Sequence, residues 1–158
     1  MAADMNRAQA EYEKLCQTFE QEGWKIQKDE EKLVIECGAR GEDLPIDLHV
    51  QVDADRELIY LLSKMPFTVA EDKRIDMVVA ASMVNNILVH GCFDFDINSG
   101  RMFFRMTNTY KDSSLGYDLY KYLIYCSCQT IDEYNDKLLM LSTGILDMDA
   151  FIKLMNEE

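Results

Sequence analysis

Basic residues are scarce in this chain. Its 158 residues contain 16 Lys and Arg against 29 Asp and Glu, a formal net charge of -13 with a pI near 4.5. Proteins that bind the phosphate backbone need a footprint of Lys and Arg, so this balance argues against a nucleic-acid partner. It also disfavours attraction to an anionic membrane surface. The same charge suits a basic or apolar client protein.

Histidine is scarcer still, with only His49 and His90 in the chain. Two histidines exclude a His-based metal cluster and leave few members for a Cys/His mechanism. Cys92 follows His90 closely, but it alternates with aspartates, whose negative charge raises the pKa of a thiol. The stretch "GARGED" lacks the Lys and Ser/Thr of a phosphate loop. We therefore predict no catalytic residue, no metal site and no cofactor.

Cysteine is present without a recognisable framework. The five cysteines are odd in number and form no CxxC pair; they are Cys16, Cys37, Cys92, Cys126 and Cys128. This pattern favours free, mostly buried thiols in a reducing compartment. No charged and then apolar leader opens the chain, and the longest apolar run, 77–89, is too short to span a bilayer. We expect a cytoplasmic protein.

The periodicity of apolar residues predicts an α+β fold with an antiparallel sheet of about five to six strands. The predicted order is α-β-β-β-β-α-β-β-α-α within one domain, 1–158. Helical spacing covers 5–22, 72–90, about 115–141 and a short last helix capped by Asp147 or Asp149. Thr68 and Glu71 have the spacing of a capping box for the second helix, and Gly91 is expected to close it. The two prolines, Pro45 and Pro66, are expected at the edges of elements.

The stretch "DFDINSG", 94–100, has the alternating oxygen ligands of a calcium loop. An EF-hand, however, needs glycine at its sixth position and a glutamate at its twelfth. Gly100 comes one place late, and the twelfth position is Arg105. The flanks also alternate with period two, so a hairpin is favoured, with Asp94 and Asp96 facing arginines on the return strand.

Two segments have more apolar surface than a small core needs. The helix 72–90 is apolar nearly all round after its first turn, and the strand 58–65 is apolar on both faces. Burial by the C-terminal helices and burial by a second subunit both explain this surplus. The candidate dimer or client surface consists of Tyr60, Leu62, Met83, Val84, Ile87 and Leu88.

The run "MPFTVAEDKRIDMVVAASMVNNILVHGCFDFDINSGRMFFRM", 65–106, resembles the YbjN-like family of bacterial proteins. The matching positions are Pro66, Glu71, Lys73, Arg74, Asn85 or Asn86, Gly91, Phe93, Asp96, Gly100 and Phe104. The end of the chain, "STGILDMDAFIKLM", is similar to the family's closing helix. The resemblance implies the type III secretion chaperone fold. It also implies a non-enzymatic, protein-binding and often dimeric protein, sometimes labelled a regulator of sensory transduction.

Three hypotheses remain open at this point. The first is a cytoplasmic, chaperone-like or regulatory domain, a homodimer that binds a client segment by strand addition or in apolar pockets. The second is a dedicated type III secretion chaperone. The third, from another class, is a small-ligand sensor or an enzyme with a carboxylate cleft.

Overall fold

The computed structural model describes residues 4–157, which form four α-helices and one six-stranded antiparallel sheet in the predicted order. The helices are α1 (Met5–Gln21), α2 (Arg74–Ile87), α3 (Tyr117–Thr143) and α4 (Met148–Asn156). The strands are β1 (Ile26–Asp29), β2 (Val34–Arg40), β3 (Pro45–Asp53), β4 (Leu58–Thr68), β5 (Cys92–Asp96) and β6 (Arg101–Thr109). The predicted fold class is confirmed.

The sheet has the strand order β1-β2-β3-β4-β6-β5, and one of its faces is covered by helices. Side chains alternate between the faces of a strand, so residues paired across strands share a face. The row Ile35, Val50, Leu61 and Met106 belongs to the core, against which α1 and α3 pack. The opposite face, called here the open face, carries Glu36, His49, Leu62, Arg105 and Cys92 in the next row.

The start of α2 differs from the prediction. Thr68 is the last residue of β4 and lies opposite Arg101, and the Val69 N–H donates to the Gly100 carbonyl at 2.8 Å. Because this pairing keeps the chain extended, the capping box with Glu71 does not form. A 3-10 turn, Glu71–Lys73, leads into α2, and no side chain caps either element.

Pro66 lies inside β4 rather than at its edge. The register of β4 against β6 shifts between Lys64 and Thr68, on either side of this proline. Proline has no N–H to donate to a ladder, and strands accommodate it at such irregularities. The prediction holds for Pro45, which begins β3.

The end of α2 also differs from the prediction. The helix ends at Ile87, and Leu88 is extended with φ -68° and ψ 133°. Gly91, with φ 76°, lies in the connection to β5 rather than at the helix end. A Cβ at this position would lie 2.4 Å from Cζ of Phe104. Glycine is therefore required by the close approach of β6 and by the left-handed backbone.

The hairpin prediction for 94–100 is confirmed. Asp96 lies opposite Arg101, and the Asp94 carboxylate accepts a hydrogen bond from Nε of Arg105 at 2.6 Å. Asp96 accepts from the Asn98 N–H at 3.0 Å and from the Ser99 hydroxyl at 2.6 Å. The carboxylate oxygens of Asp94 and Asp96 therefore accept hydrogen bonds from within the hairpin itself.

Candidate functional site

The six residues predicted as one surface lie on two separate parts of the molecule. Tyr60 and Leu62 are half-buried on the open face of β4. The other four lie at the C-terminal half of α2, which packs against β5, α3 and α4. Of these, Val84 is fully buried in the core, Met83 and Leu88 pack against it, and only Ile87 is mainly exposed. The structure therefore does not bring the six together.

An exposed apolar stripe lies on the outer side of α2. None of its residues was among the six predicted for the surface. Ile75, Val78 and Val79 are 65%, 41% and 44% exposed. Their i, i+3, i+4 spacing puts them on one face, opposite the buried Met77 and Val84. We call Ile75, Val78 and Val79 the α2 outer stripe. Both sides of this helix are apolar, so sequence periodicity alone did not separate core from surface.

The open face contains a depression of about 590 Å³. Its lining residues come from five strands and from Lys25, the residue before β1. They include Gln27, Gly38, Leu62, Lys64 and Phe103. Gly38 leaves space on β2 because it has no side chain, and a Cβ there would lie 3.3 Å from the Asp47 carboxylate. We call this the open-face depression. Among the predicted residues only Leu62 lines it, while Tyr60 lies further along β4 and bonds Arg56.

Charges of both signs surround this depression. His49 and Glu36 approach each other to 3.2 Å across β2 and β3. Beyond β4, Arg105 pairs with Asp94 and its Nη2 donates to the Cys92 sulfur at 3.2 Å. Lys25, Lys64 and Asp47 also line the depression, so its charges do not form a field of one sign.

The thiols of Cys37, Cys92 and Cys128 lack the activation that a nucleophile needs. Burial and the Asp94 carboxylate raise the pKa of the Cys92 thiol, although Arg105 opposes them. This confirms the direction predicted from the alternating aspartates. Burial raises the pKa of Cys37 to about 12 and that of Cys128 to about 11. All five thiols are free, and only Cys16 is fully buried.

A buried carboxylate joins α1 to α3. Glu11 accepts hydrogen bonds from the Tyr120 hydroxyl and from Lys14 Nζ, the latter at 2.8 Å. Burial and the Glu11 charge raise the pKa of Tyr120. The ion pair of Glu11 with Lys14 lies within α1, and the hydrogen bond from Tyr120 is the contact that joins the two helices.

Residues 4–157 contain no group of three or more His, Cys, Asp or Glu side chains arranged to hold a metal ion.

No helix among residues 4–157 combines the length and the apolar character needed to cross a bilayer.

No protein-family model matches this chain, and no curated protein matches its sequence. Several solved structures share its fold, among them the following three. YbjN, a proposed transcription regulator from E. coli, aligns with a TM-score of 0.57 and 11% identity over 79% of this chain and 91% of its own. The HopA1–SchA chaperone–effector complex aligns with a TM-score of 0.59 and 12% identity, over 85% of this chain and 99% of the matched chain. The ExsC–ExsE complex aligns with a TM-score of 0.57 and 11% identity, over 80% of this chain and 92% of the matched chain. The predicted YbjN-like, secretion chaperone-like fold is confirmed.

Proposed function

We propose that this chain is a non-enzymatic, cytoplasmic protein-binding domain, chaperone-like or regulatory, that forms a homodimer and holds a segment of a client protein. The observation that carries the proposal is apolar surface left uncovered on two sides of one small domain: the α2 outer stripe and the open-face depression. Five free thiols agree with a reducing compartment.

The α2 outer stripe is the proposed dimer contact. Three branched apolar side chains within two turns of a helix are typical of a surface that packs against another helix. A two-fold interface would bring the stripe of one copy against the stripe of the other. Of the residues predicted for the surface, Ile87 is exposed on the same helix but lies to one side of the stripe.

The open-face depression is the proposed client contact. Leu62 and Phe103 supply apolar surface, and Lys25 and Lys64 also line the depression. The structures that share the fold support a protein partner, since one is a chaperone–effector complex and another is the ExsC–ExsE complex.

A test of the dimer compares the masses of variants by size-exclusion chromatography with light scattering at micromolar concentration. We expect wild type at twice the chain mass of 18.3 kDa and Val79→Glu at the monomer mass. Met5→Glu is the matched control, because Met5 is an exposed apolar residue at the start of α1. A monomeric wild type would overturn the dimer.

A test of client binding uses a lysine-reactive cross-linker in native extract, followed by mass spectrometry. We expect one partner to be cross-linked through Lys25 or Lys64, and we expect Leu62→Asp to abolish its capture while Met5→Glu retains it. A partner that cross-links only to Lys153 on α4, or that Leu62→Asp captures equally, contradicts the proposed contact.

A dedicated type III secretion chaperone is the second candidate, and the complexes among the similar structures favour it. It requires the client to be a secreted effector whose bound segment is protected from protease. A cytoplasmic client that never leaves the cell supports the regulatory function instead.

A further inference from the structure

The sheet has two edge strands, β1 and β5, and an added strand can pair only with main-chain groups that are free at an edge. At Phe93 in β5 these groups are already occupied. Asn85 of α2 accepts a hydrogen bond from the Phe93 N–H at 2.7 Å and donates one to the Phe93 carbonyl at 3.0 Å. One side-chain amide thus takes the place of a neighbouring strand, and β5 is closed at its centre.

The outer edge of β1 is open. The Val52 N–H donates to the Leu33 carbonyl at 3.0 Å, so the next pair along, Val34 with Gln51, is of the non-hydrogen-bonded type. The main-chain groups of Val34 therefore point to β1. By alternation along β1, those of Ile26 and Lys28 point away from the sheet. Within residues 4–157, no main-chain bond from outside the strand pairs reaches these two.

A groove of about 330 Å³ runs beside this edge, between β1 and α1. Its lining includes Tyr12 and Cys16, which are themselves buried, and the charged residues are Glu13, Glu20, Glu30 and Lys28. Lys28 already pairs with Glu20 at 2.5 Å. Glu13 and Glu30 are left as an excess of negative charge along the groove.

We propose that the client segment adds to the outer edge of β1 as a further strand, and that it carries Lys or Arg at every second position. This inference rests on the proposed function, and it specifies the strand to which the client binds and the side chains that the client carries. Alternate side chains of an added strand point to the helix side, where the groove lies. The aliphatic stem of Lys or Arg lies along the groove, while its charged end meets Glu13 or Glu30.

The first experiment uses a short synthetic peptide in which Lys and Val alternate, with blocked ends. Fluorescence anisotropy measures its binding, and a peptide with Glu in place of Lys is the matched probe. We expect the Lys peptide to bind at least about tenfold more tightly than the Glu peptide, because the groove and the whole chain are acidic. In amide exchange by NMR, we expect protection of Ile26 and Lys28 but not of Phe95 on β5.

The second experiment separates the edge from the charge. Lys28→Pro removes an outward N–H without removing a ladder bond, and Lys28→Ala loses the same ion pair but keeps the N–H. We expect Lys28→Ala to bind the peptide like wild type and Lys28→Pro to bind it at least about tenfold less tightly. Glu13→Gln combined with Glu30→Gln should weaken binding. The control, Glu42→Gln combined with Glu133→Gln, removes the same charge from other exposed positions and should not.

Each outcome bears on one part of the proposal. If Lys28→Pro retains the fold by circular dichroism and binds as wild type does, or if no Lys peptide binds, β1 addition is overturned. If the Glu peptide binds equally, the basic character of the segment is overturned. The proposed function is judged separately, by cross-linking of the native client to the open face, and it survives either result.

Discussion

Gly91 shows how one residue permits β6 to approach the chain that leaves α2. Gly91 and Gly23 have nearly the same backbone, with φ 76° and φ 77°, but a Cβ at Gly23 would meet nothing within 4 Å. At Gly91 it would meet the ring of Phe104, which is fully buried. A substitution at Gly23 therefore introduces backbone strain alone, whereas one at Gly91 adds steric overlap with Phe104.

Gly23→Ala should cost about 1 kcal/mol of unfolding free energy, the penalty for a side chain in the left-handed region. Gly91→Ala should cost at least about twice as much, because overpacking against Phe104 is added. Urea unfolding of the two variants under the same conditions measures the difference. Equal losses at the two sites would contradict the steric role of Gly91.

Asp94 contributes stability that depends on pH. Hydrogen bonds from Arg105 hold the pKa of Asp94 below its ordinary value of 3.8. A carboxyl whose pKa is lower in the folded state stabilises the fold above its unfolded pKa, and this contribution is lost as pH falls through the folded pKa. Asp94→Asn should therefore be less stable than wild type at pH 7, by a margin that closes under acid conditions.

Urea unfolding of wild type and Asp94→Asn across a pH series measures this margin. Asp43→Asn, which changes an exposed carboxylate in the β2–β3 loop, is the control. A margin that stays constant down to the lowest pH would show that Asp94 acts by packing or geometry and not through its charge.

Helix α2 shows what periodicity can and cannot predict. That this helix is apolar on two sides follows from its sequence, because no charge occurs between Met77 and Val89. Which side meets the core is decided by packing against β5, α3 and α4. Two hydrogen bonds between Asn85 and Phe93 hold the chain that leaves α2 against β5, and the predicted helix end was three residues late.

The hairpin β5–β6 is attached to the start of α2 by Arg74. Its guanidinium donates to the Ile97 carbonyl at 3.1 Å and to the Asn98 carbonyl at 2.8 Å. Its Nε also donates to the Val69 carbonyl, at 3.4 Å. A planar group with several fixed donors can reach three carbonyls, whereas an ammonium on a flexible stem cannot hold that geometry.

Arg74→Lys should therefore loosen the turn while keeping the charge. We expect faster amide exchange at Asn98 and Ser99, with little change at Phe104 in the centre of β6. Lys73→Arg, the reverse change at the neighbouring position, serves as the control and should leave exchange in the turn unaltered. Slowed or unchanged exchange at Asn98 in Arg74→Lys would rule out this attachment.

For the whole molecule, the fold was more predictable than the site because it follows from local patterns. The alternation of apolar residues in β3 and their helical spacing in α1 each allow only one choice of buried face. The residues that are buried in both elements agree with that choice. The open-face depression depends instead on Gly38, Leu62 and Phe103 meeting across strands distant in sequence. No local pattern encodes that meeting, so only Leu62 was predicted.

The net charge of -13 should give the two proposed contacts opposite responses to salt. Two copies of this chain repel each other, and ions screen that repulsion, with a Debye length of about 10 Å at 0.1 M. Salt should therefore tighten the dimer. A basic strand beside Glu13 and Glu30 is attracted, so the same screening should weaken its binding.

Analytical ultracentrifugation gives the dimer dissociation constant, and anisotropy gives that of the Lys peptide, each from about 0.02 M to about 0.5 M NaCl. We expect the first constant to fall and the second to rise over this range. The Glu13→Gln and Glu30→Gln double variant should flatten the peptide response far more than the dimer response. It removes both groove carboxylates that the peptide meets, but it changes the net charge of each copy only from -13 to -11 (-13 + 2). Two constants that move in the same direction would mean that one of the contacts has been assigned to the wrong surface.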